Sequence, residues 1–144
     1  MKSFMKHLSE ASMWDFLYRK HKGIFYRGEG KAGKGTGLGA LGSGIYLTWS
    51  EGMAKAFANK QGAGAEVKRY KIKRGLKICD AEADQDFADV KKQMGFGPKE
   101  FSADKMFAGM LTMLLKDKGY DGCVSDDVAT GIVIFDKKNV KEVK

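Results

Sequence analysis

Residues 23–58 read GIFYRGEGKAGKGTGLGALGSGIYLTWSEGMAKAFA, and this stretch sets the architecture of the chain. Its first six residues form a short apolar run that predicts a strand with Arg27 near its end. Eight of the 17 residues from Gly28 to Gly44 are glycine, which predicts an irregular loop. GSGIYLTW predicts a second strand, and Ser50 is a typical cap for the helix that follows. The predicted order is strand, glycine-rich loop, strand, helix.

The other elements are predicted outward from this stretch. On its N-terminal side, an apolar face at helical spacing predicts a helix from Ser9 that ends at Gly23. On its C-terminal side, a helix is predicted from Asp80 and a stronger one over residues 102–119. We expect the methionines of the stronger helix to pack in the core, with a groove for a partner as the alternative. Further strands are predicted for EVKRYKIK, LKICD, GYDGCV and GIVIFD. Strands and helices alternate without a regular period and without a linker. We therefore expect one α+β domain over residues 1–144, with an N-terminal helix in residues 1–22 and a core in residues 23–144.

The charge balance predicts an anionic partner without identifying it. Lysine and arginine outnumber aspartate and glutamate by 26 to 18, which gives a net charge of +8. Such a bias raises the encounter rate with nucleotides, nucleic acids and acidic protein surfaces. The lysines are spread in pairs, as in KRYKIKRGLK, which favours a generally basic surface. A dedicated nucleic-acid-binding stripe stays as the alternative.

Cysteine usage and hydropathy indicate a reduced, cytoplasmic setting. Cys79 and Cys123 lie in apolar segments without C-x-x-C spacing, and the chain has only two histidines, so we expect no structural metal site. Buried thiols are typical of a cytosolic protein. No apolar run reaches 18 residues and the N-terminus lacks a signal-peptide pattern, so we expect no membrane association.

Two familiar phosphate-binding motifs fit the glycine-rich loop poorly. Gly28, Gly30 and Gly33 match G-x-G-x-x-G, but the residues after them do not predict the helix whose N-terminus would bind a pyrophosphate. Gly28 and Lys34 have Walker A spacing, but Gly35 stands where a serine or threonine would bind magnesium. A surface loop without any ligand is the remaining alternative.

Side chains on both sides of the loop suit an anionic, flat, ribose-bearing ligand such as NAD. The Arg27 guanidinium could form paired hydrogen bonds with a phosphate or ribose, or instead an ion pair with Glu29 or with an aspartate of the SDDVAT loop. The Tyr46 ring could stack on a nicotinamide, or pack in the core. Thr48 and Ser50 lie on one face of a strand, although Ser50 could serve only as a helix cap.

The order of these motifs resembles the ADP-ribosyltransferase superfamily. GSGIYLTWSEGMAKAFA is similar to the second NAD-binding motif of the poly(ADP-ribose) polymerase branch, and YRG resembles the first motif of the arginine-type branch. In the arginine-type branch a Ser-Thr-Ser strand follows, and Thr48-Trp49-Ser50 stands in its place. GYDGCV and GIVIFDKKNVKEV resemble the final hairpin of both branches and of many phage and bacterial mono-ADP-ribosyltransferases. The resemblance covers residues 23–144.

The resemblance implies two small, mostly antiparallel sheets with flanking helices around an NAD cleft. It implies that Arg27 holds the phosphate or ribose, that Tyr46 stacks on the nicotinamide, and that Thr48 or Ser50 positions the ribose and Arg27. The residues expected to contact NAD are Arg27, Gly28, Gly44, Tyr46, Thr48 and Ser50, of which Arg27 and Tyr46 are also expected to act in catalysis.

One departure from the family pattern concerns the catalytic carboxylate. In the family, a glutamate that stabilises the oxocarbenium-like transition state opens the last strand, where this chain has Gly131. Asp126 or Asp127, in the loop just before it, could supply a carboxylate, and Glu29 and Asp121 are weaker candidates.

The expected function is therefore mono-ADP-ribosyl transfer from NAD to a macromolecule, with a protein as the favoured acceptor over a nucleic acid. A phage or mobile-element origin suits the small size, by analogy only. The main alternative is a catalytically silent module of the same fold that binds NAD or ADP-ribose. The sequence leaves the oligomeric state open.

Overall fold

The structure, a computed structural model, describes residues 13–29, 41–60, 66–97, 100, 105–126 and 131–144. It is an α+β domain with two sheets. The helices are α1 (helical over the described residues 13–20), α2 (Glu51–Lys60), α3 (Gln85–Gln93) and α4 (Lys105–Asp117), with a short 3₁₀ turn at Lys137–Asn139. The strands are β1 (Ile24–Glu29), β2 (Ile45–Leu47), β3 (Glu66–Ile72), β4 (Ile78–Asp80), β5 (Gly122–Ser125), β6 (Gly131–Ile134) and β7 (Val140–Val143).

The smaller sheet is antiparallel and has the order β1-β3-β7. The sequence predicts its first two strands, but the tail that forms β7 is so rich in lysine that its pattern does not indicate a strand. Its backbone pairs with β3, from Arg69 opposite Val143 to Ile72 opposite Val140. Lysines are tolerated there because β7 lies at the edge of the sheet, where charged side chains also oppose further strand addition.

The larger sheet has the order β2-β6-β5-β4, and it is antiparallel except for the parallel pair β4–β5. All residues of β5 and β6 are buried, as their continuous apolar sequences require. One face packs against α3 and α4 through a core that contains Phe87, Leu111 and Val133. The other face packs against α1 and the smaller sheet through Phe25, Leu47 and Ile132.

The two sheets meet where β1 passes the end of β2. Tyr26 and Thr48 exchange both backbone hydrogen bonds, each 2.8 Å long. Helix α2 starts directly after this bridge and crosses β1 so closely that a Cβ atom at Gly28 would lie 2.3 Å from the carbonyl oxygen of Ala54. Only glycine permits this approach. The strand–loop–strand–helix order predicted for residues 23–58 is thus confirmed for its described elements.

Two predictions about the helices are wrong. Helix α3 begins at Gln85 rather than near Asp80, because the Asp80 carboxylate accepts hydrogen bonds from the amides of Glu82 and Ala83 and holds a turn there. The α4 methionines do not pack in the core: Met106, Met110 and Met113 are exposed. The core side of α4 instead carries smaller residues such as Ala108 and Thr112 among its leucines. No helix of the described residues is long and apolar enough to cross a membrane.

Candidate functional site

Arg27 links the two sheets at their junction. Its Nε lies 2.9 Å from Glu29 Oε1, and its Nη1 donates a 3.1 Å hydrogen bond to the carbonyl oxygen of Tyr46 on β2. The side chain is 15% exposed, so most of it is enclosed and a small part reaches the surface. The ion-pair interpretation is therefore confirmed for Glu29. It does not exclude ligand binding, because these contacts engage Nε and Nη1 and a guanidinium has further N–H donors.

Glu29 is the buried centre of a charged group, here called the Arg27 cluster, that also contains the partly exposed residues Arg27, Lys68 and Tyr70. Glu29 is 6% exposed. Its carboxylate accepts a 2.8 Å hydrogen bond from the Tyr70 hydroxyl and lies 3.1 Å from Lys68 Nζ. Lys68 also lies 3.6 Å from both Glu66 and Glu142 at the surface. The Glu29 carboxylate therefore balances the positive charges of Arg27 and Lys68, and its contact with Nε holds the Arg27 side chain in place.

The pKa values in the cluster follow from these contacts. Burial by itself raises the pKa of the Glu29 carboxyl, but the hydrogen bonds from Tyr70 and Lys68 and the charges of Lys68 and Arg27 outweigh it, so the pKa is lowered. Burial, followed by the hydrogen bond to Glu29, raises the pKa of Tyr70 to about 12. The hydrogen bond and charge of Glu29 raise the pKa of Lys68. At neutral pH, Glu29 is therefore ionised.

Tyr46 uses its hydroxyl to hold the turn before β2. The hydroxyl donates to the carbonyl oxygen of Gly42 and accepts a 3.2 Å hydrogen bond from the Leu41 amide. The ring is half-buried and packs against the core shared with α3 and α4. The packing interpretation thus describes much of this side chain. Whether its ring also contacts a nicotinamide stays a prediction.

Thr48 and Ser50 form the start of α2. Thr48 is buried, and its Oγ1 accepts a 3.3 Å hydrogen bond from the Ser50 amide. Ser50 Oγ accepts a 3.2 Å hydrogen bond from the Met53 amide, which confirms its role as a helix cap. The two hydroxyls lie beside the bridge between Tyr26 and Thr48 at the sheet junction. Contact with a ribose is a prediction for both.

The two glycines predicted to border on NAD both have backbone reasons to be glycine. Gly28 allows the close crossing of β1 and α2 described above. Gly44 has a φ of +151°, and a Cβ atom there would lie 2.3 Å from the carbonyl oxygen of Ile134. Loop residues 30–40 lie outside the described residues.

A second group of side chains lies at the end of the larger sheet where β6 begins, here called the Gly131 end. Leu47 pairs with Ile132, and Ser125 pairs with Gly131. Gly131 and Ser125 therefore lie opposite each other at this end of the sheet, and Thr48 directly follows the last residue of β2 there.

A carboxylate that the sequence interpretation missed occupies this end of the sheet. Glu82 Oε2 accepts a 2.8 Å hydrogen bond from Ser125 Oγ, and Oε1 accepts a 2.9 Å hydrogen bond from the Asp126 amide. Ser125 is fully buried, whereas Glu82 is exposed. Glu82 was missed because only the parallel pairing of β4 and β5 brings it here, and short apolar runs do not indicate strand order.

The structure separates the four candidates for the missing carboxylate. Asp126 lies at the Gly131 end with an exposed side chain, and Asp127 lies outside the described residues. Glu29 belongs to the Arg27 cluster. Asp121 precedes β5, and its carboxylate accepts a hydrogen bond from the Lys77 amide at the opposite end of the sheet. Asp121 is therefore a wrong candidate for this site.

Comparison with known proteins gives no match: no family model, no curated protein and no solved structure is significantly similar to this chain. Among the described residues, no group of three or more histidine, cysteine, aspartate or glutamate side chains is arranged to bind a metal ion. The geometry of the site itself therefore carries the functional argument.

Proposed function

We propose that this protein binds NAD at the junction of its two sheets and transfers ADP-ribose from NAD to a macromolecular acceptor, favouring a protein, within an ADP-ribosyltransferase-like fold. One observation carries the proposal. The Arg27 guanidinium is fixed between the sheets by Glu29 and by the Tyr46 carbonyl oxygen. A largely enclosed arginine side chain with N–H donors to spare suits a phosphate or ribose, since such charge-assisted hydrogen bonds are the strong ones.

The order of elements around Arg27 supports the same proposal. The arginine stands on β1, the glycine-rich stretch precedes β2, and Tyr46, Thr48 and Ser50 lead into α2. These are the positions at which the family resemblance expects NAD to be held. The structure also provides two mostly antiparallel sheets with helices on their flanks, as that resemblance requires.

The proposed reaction breaks one bond and forms another at the same carbon. The bond between C1′ of the nicotinamide ribose and the nicotinamide nitrogen breaks, and its electron pair leaves with nicotinamide, which becomes neutral. A nucleophilic atom of the acceptor forms a bond to C1′ and loses its proton to solvent. Positive charge develops on the ribose between these events, so catalysis depends on positioning and on electrostatic stabilisation of that charge.

A second candidate function is a silent NAD- or ADP-ribose-binding module. It is favoured by Gly131, which has no side chain at the place where the family has its catalytic glutamate. Such a module would keep the Arg27 contact and lack turnover. The two candidates therefore differ in chemistry but not in the first step, which is binding.

The test combines binding with product release. NAD is titrated calorimetrically into the protein, and nicotinamide release is then followed with and without a cell lysate as the source of acceptors. Transfer predicts binding, nicotinamide release and label from NAD on macromolecules. The silent module predicts binding alone. Absence of binding would contradict both.

A matched pair of arginine variants gives specificity to this test. Arg27→Ala removes the proposed anchor, whereas Arg74→Ala removes the same charge from an exposed position after β3. The general positive charge of the surface attracts anions in both variants. Only loss of binding in Arg27→Ala, with binding kept in Arg74→Ala, supports a specific site.

A further inference from the structure

The turn after β4 is built to hold one side chain at the Gly131 end. Because β4 and β5 are parallel, their C-terminal ends lie side by side, and the Ala81 amide continues the ladder with a 2.9 Å hydrogen bond to the Val124 carbonyl oxygen. Glu82 is the next residue. Its position is therefore set by the sheet rather than by a free loop.

The backbone of Glu82 is fixed a second time by Asp80. The Asp80 carboxylate accepts hydrogen bonds from the Glu82 amide at 2.9 Å and the Ala83 amide at 3.0 Å. The Asp80 amide in turn donates a 2.8 Å hydrogen bond to Asp84 Oδ2, just before α3. A functional group is most precisely placed when such neighbouring contacts support it.

The carboxylate of Glu82 is oriented and yet accessible. Each oxygen accepts one hydrogen bond, from Ser125 Oγ at 2.8 Å and from the Asp126 amide at 2.9 Å. A carboxylate oxygen can accept more than one hydrogen bond, so both oxygens keep capacity for a ligand. Both donors are uncharged groups, so these two contacts leave the negative charge of Glu82 in place.

Ser125 connects this carboxylate to the place where the family glutamate is missing, because Ser125 is the partner of Gly131 across the β5–β6 pair. We propose that Glu82 supplies the catalytic carboxylate of the reaction, lying against the nicotinamide ribose in place of a side chain at Gly131. This inference rests on the proposed function, since it assigns a residue to that reaction. Ser125 is the positioning residue that holds Glu82 in place.

The role of Glu82 is electrostatic. As the C1′–nitrogen bond breaks and nicotinamide leaves with the electron pair, the ribose becomes positively charged, and the ionised carboxylate stabilises it. The acceptor then adds to C1′ and loses its proton to solvent. Removal of a preorganised group of this kind typically lowers the rate by about 100- to 1,000-fold.

The experiment compares Glu82→Gln with Asp89→Asn, which neutralises an exposed carboxylate on α3, and with Asp126→Asn, which neutralises the competing candidate. Nicotinamide release, NAD affinity and thermal stability are measured for the three variants and the wild type. We expect Glu82→Gln to lower the rate about 100-fold or more with NAD affinity within a few-fold of wild type, and Asp89→Asn to keep the wild-type rate. An unchanged rate in Glu82→Gln would overturn the inference, as would loss of rate in Asp126→Asn alone.

A rescue experiment separates catalysis from a purely structural role. In Glu82→Ala, added formate should restore part of the rate without changing the melting temperature, because a small carboxylate can enter the vacated space. A lost rate that formate does not restore would overturn the inference. Ser125→Ala should lower kcat more than it changes KM, since it disorients the carboxylate without removing it. A wild-type protein that binds NAD without releasing nicotinamide would instead contradict the proposed transfer itself.

Discussion

The Arg27 cluster and the Glu82 turn hold their charges in opposite ways. In the cluster, Glu29 is buried and contacts the cations Arg27 and Lys68. In the turn, Glu82 is exposed and accepts hydrogen bonds from the uncharged Ser125 hydroxyl and Asp126 amide. The comparison teaches that the two carboxylates serve different ends. Glu29 contributes to stability and holds Arg27, whereas Glu82 has a negative charge available for a ligand.

The largest effect on stability is expected from breaking the cluster. Glu29→Gln removes the negative charge that Arg27 and Lys68 share, and because both cations are partly exposed this should lower the free energy of unfolding by about 1.5–3 kcal/mol. Glu82→Gln keeps one hydrogen bond of an exposed group and should cost about 1 kcal/mol or less. Urea denaturation of both variants measures the difference. Equal losses would contradict the contrast between the two regions.

The next effect concerns the backbone beneath the cluster. Gly28→Ala would place a methyl group 2.3 Å from the Ala54 carbonyl oxygen and 2.7 Å from the Ala58 nitrogen. The resulting separation of β1 and α2 should lower the free energy of unfolding by about 1–3 kcal/mol.

The matched control for this change is Gly109→Ala on α4. Nothing lies within 4 Å of a Cβ atom there, and alanine favours a helix over glycine by about 0.8–1 kcal/mol. Gly109→Ala should therefore stabilise the fold. If Gly28→Ala did so as well, the close crossing of β1 and α2 would be wrong.

A smaller effect is expected from pH. The pKa of the Glu29 carboxyl is lowered from its ordinary 4.5 in the folded protein, so the unfolded chain takes up the proton first. The stabilisation by Glu29 is complete above its unfolded pKa and is lost as the pH falls through the folded pKa. The pKa of Asp86 is also lowered, chiefly by the hydrogen bond from Tyr120, so both groups contribute to acid unfolding.

Glu29→Gln should therefore reduce, but not abolish, the loss of stability between neutral and acidic pH. Unfolding by urea at a series of pH values measures how steeply the free energy of unfolding falls with pH. Glu82→Gln serves as the comparison, and its free energy of unfolding should keep the pH dependence that Glu29 contributes. If the free energy of unfolding of Glu29→Gln fell with pH as steeply as that of the wild type, the contribution of Glu29 to acid unfolding would be wrong.

The sequence predicts what local signals determine. Gly23 ends α1 with a φ of 73°, Ser50 caps α2, and the apolar run before Arg27 forms β1. Each of these depends on a few neighbouring residues. That is why the elements on both sides of the glycine-rich loop were predictable.

The parts that the sequence does not predict depend on distant partners. The tail Val140–Val143 becomes a strand only because β3 offers it an edge. Glu82 reaches the Gly131 end only because β4 pairs in parallel with β5. Likewise, the helical spacing of apolar residues on α4 does not reveal that Met106, Met110 and Met113 face outward. The position of Arg27 was predictable, but its anchoring by Lys68 and Tyr70 through Glu29 was not.

The most direct test of the account is calorimetric titration of NAD into the wild-type protein and the Arg27→Ala and Arg74→Ala variants. The account predicts saturable binding to the wild type and to Arg74→Ala, and binding at least about tenfold weaker to Arg27→Ala, a loss of roughly 1.4 kcal/mol or more. Equal affinity in all three proteins, or no binding to the wild type, would contradict the assignment of the sheet junction as an NAD site.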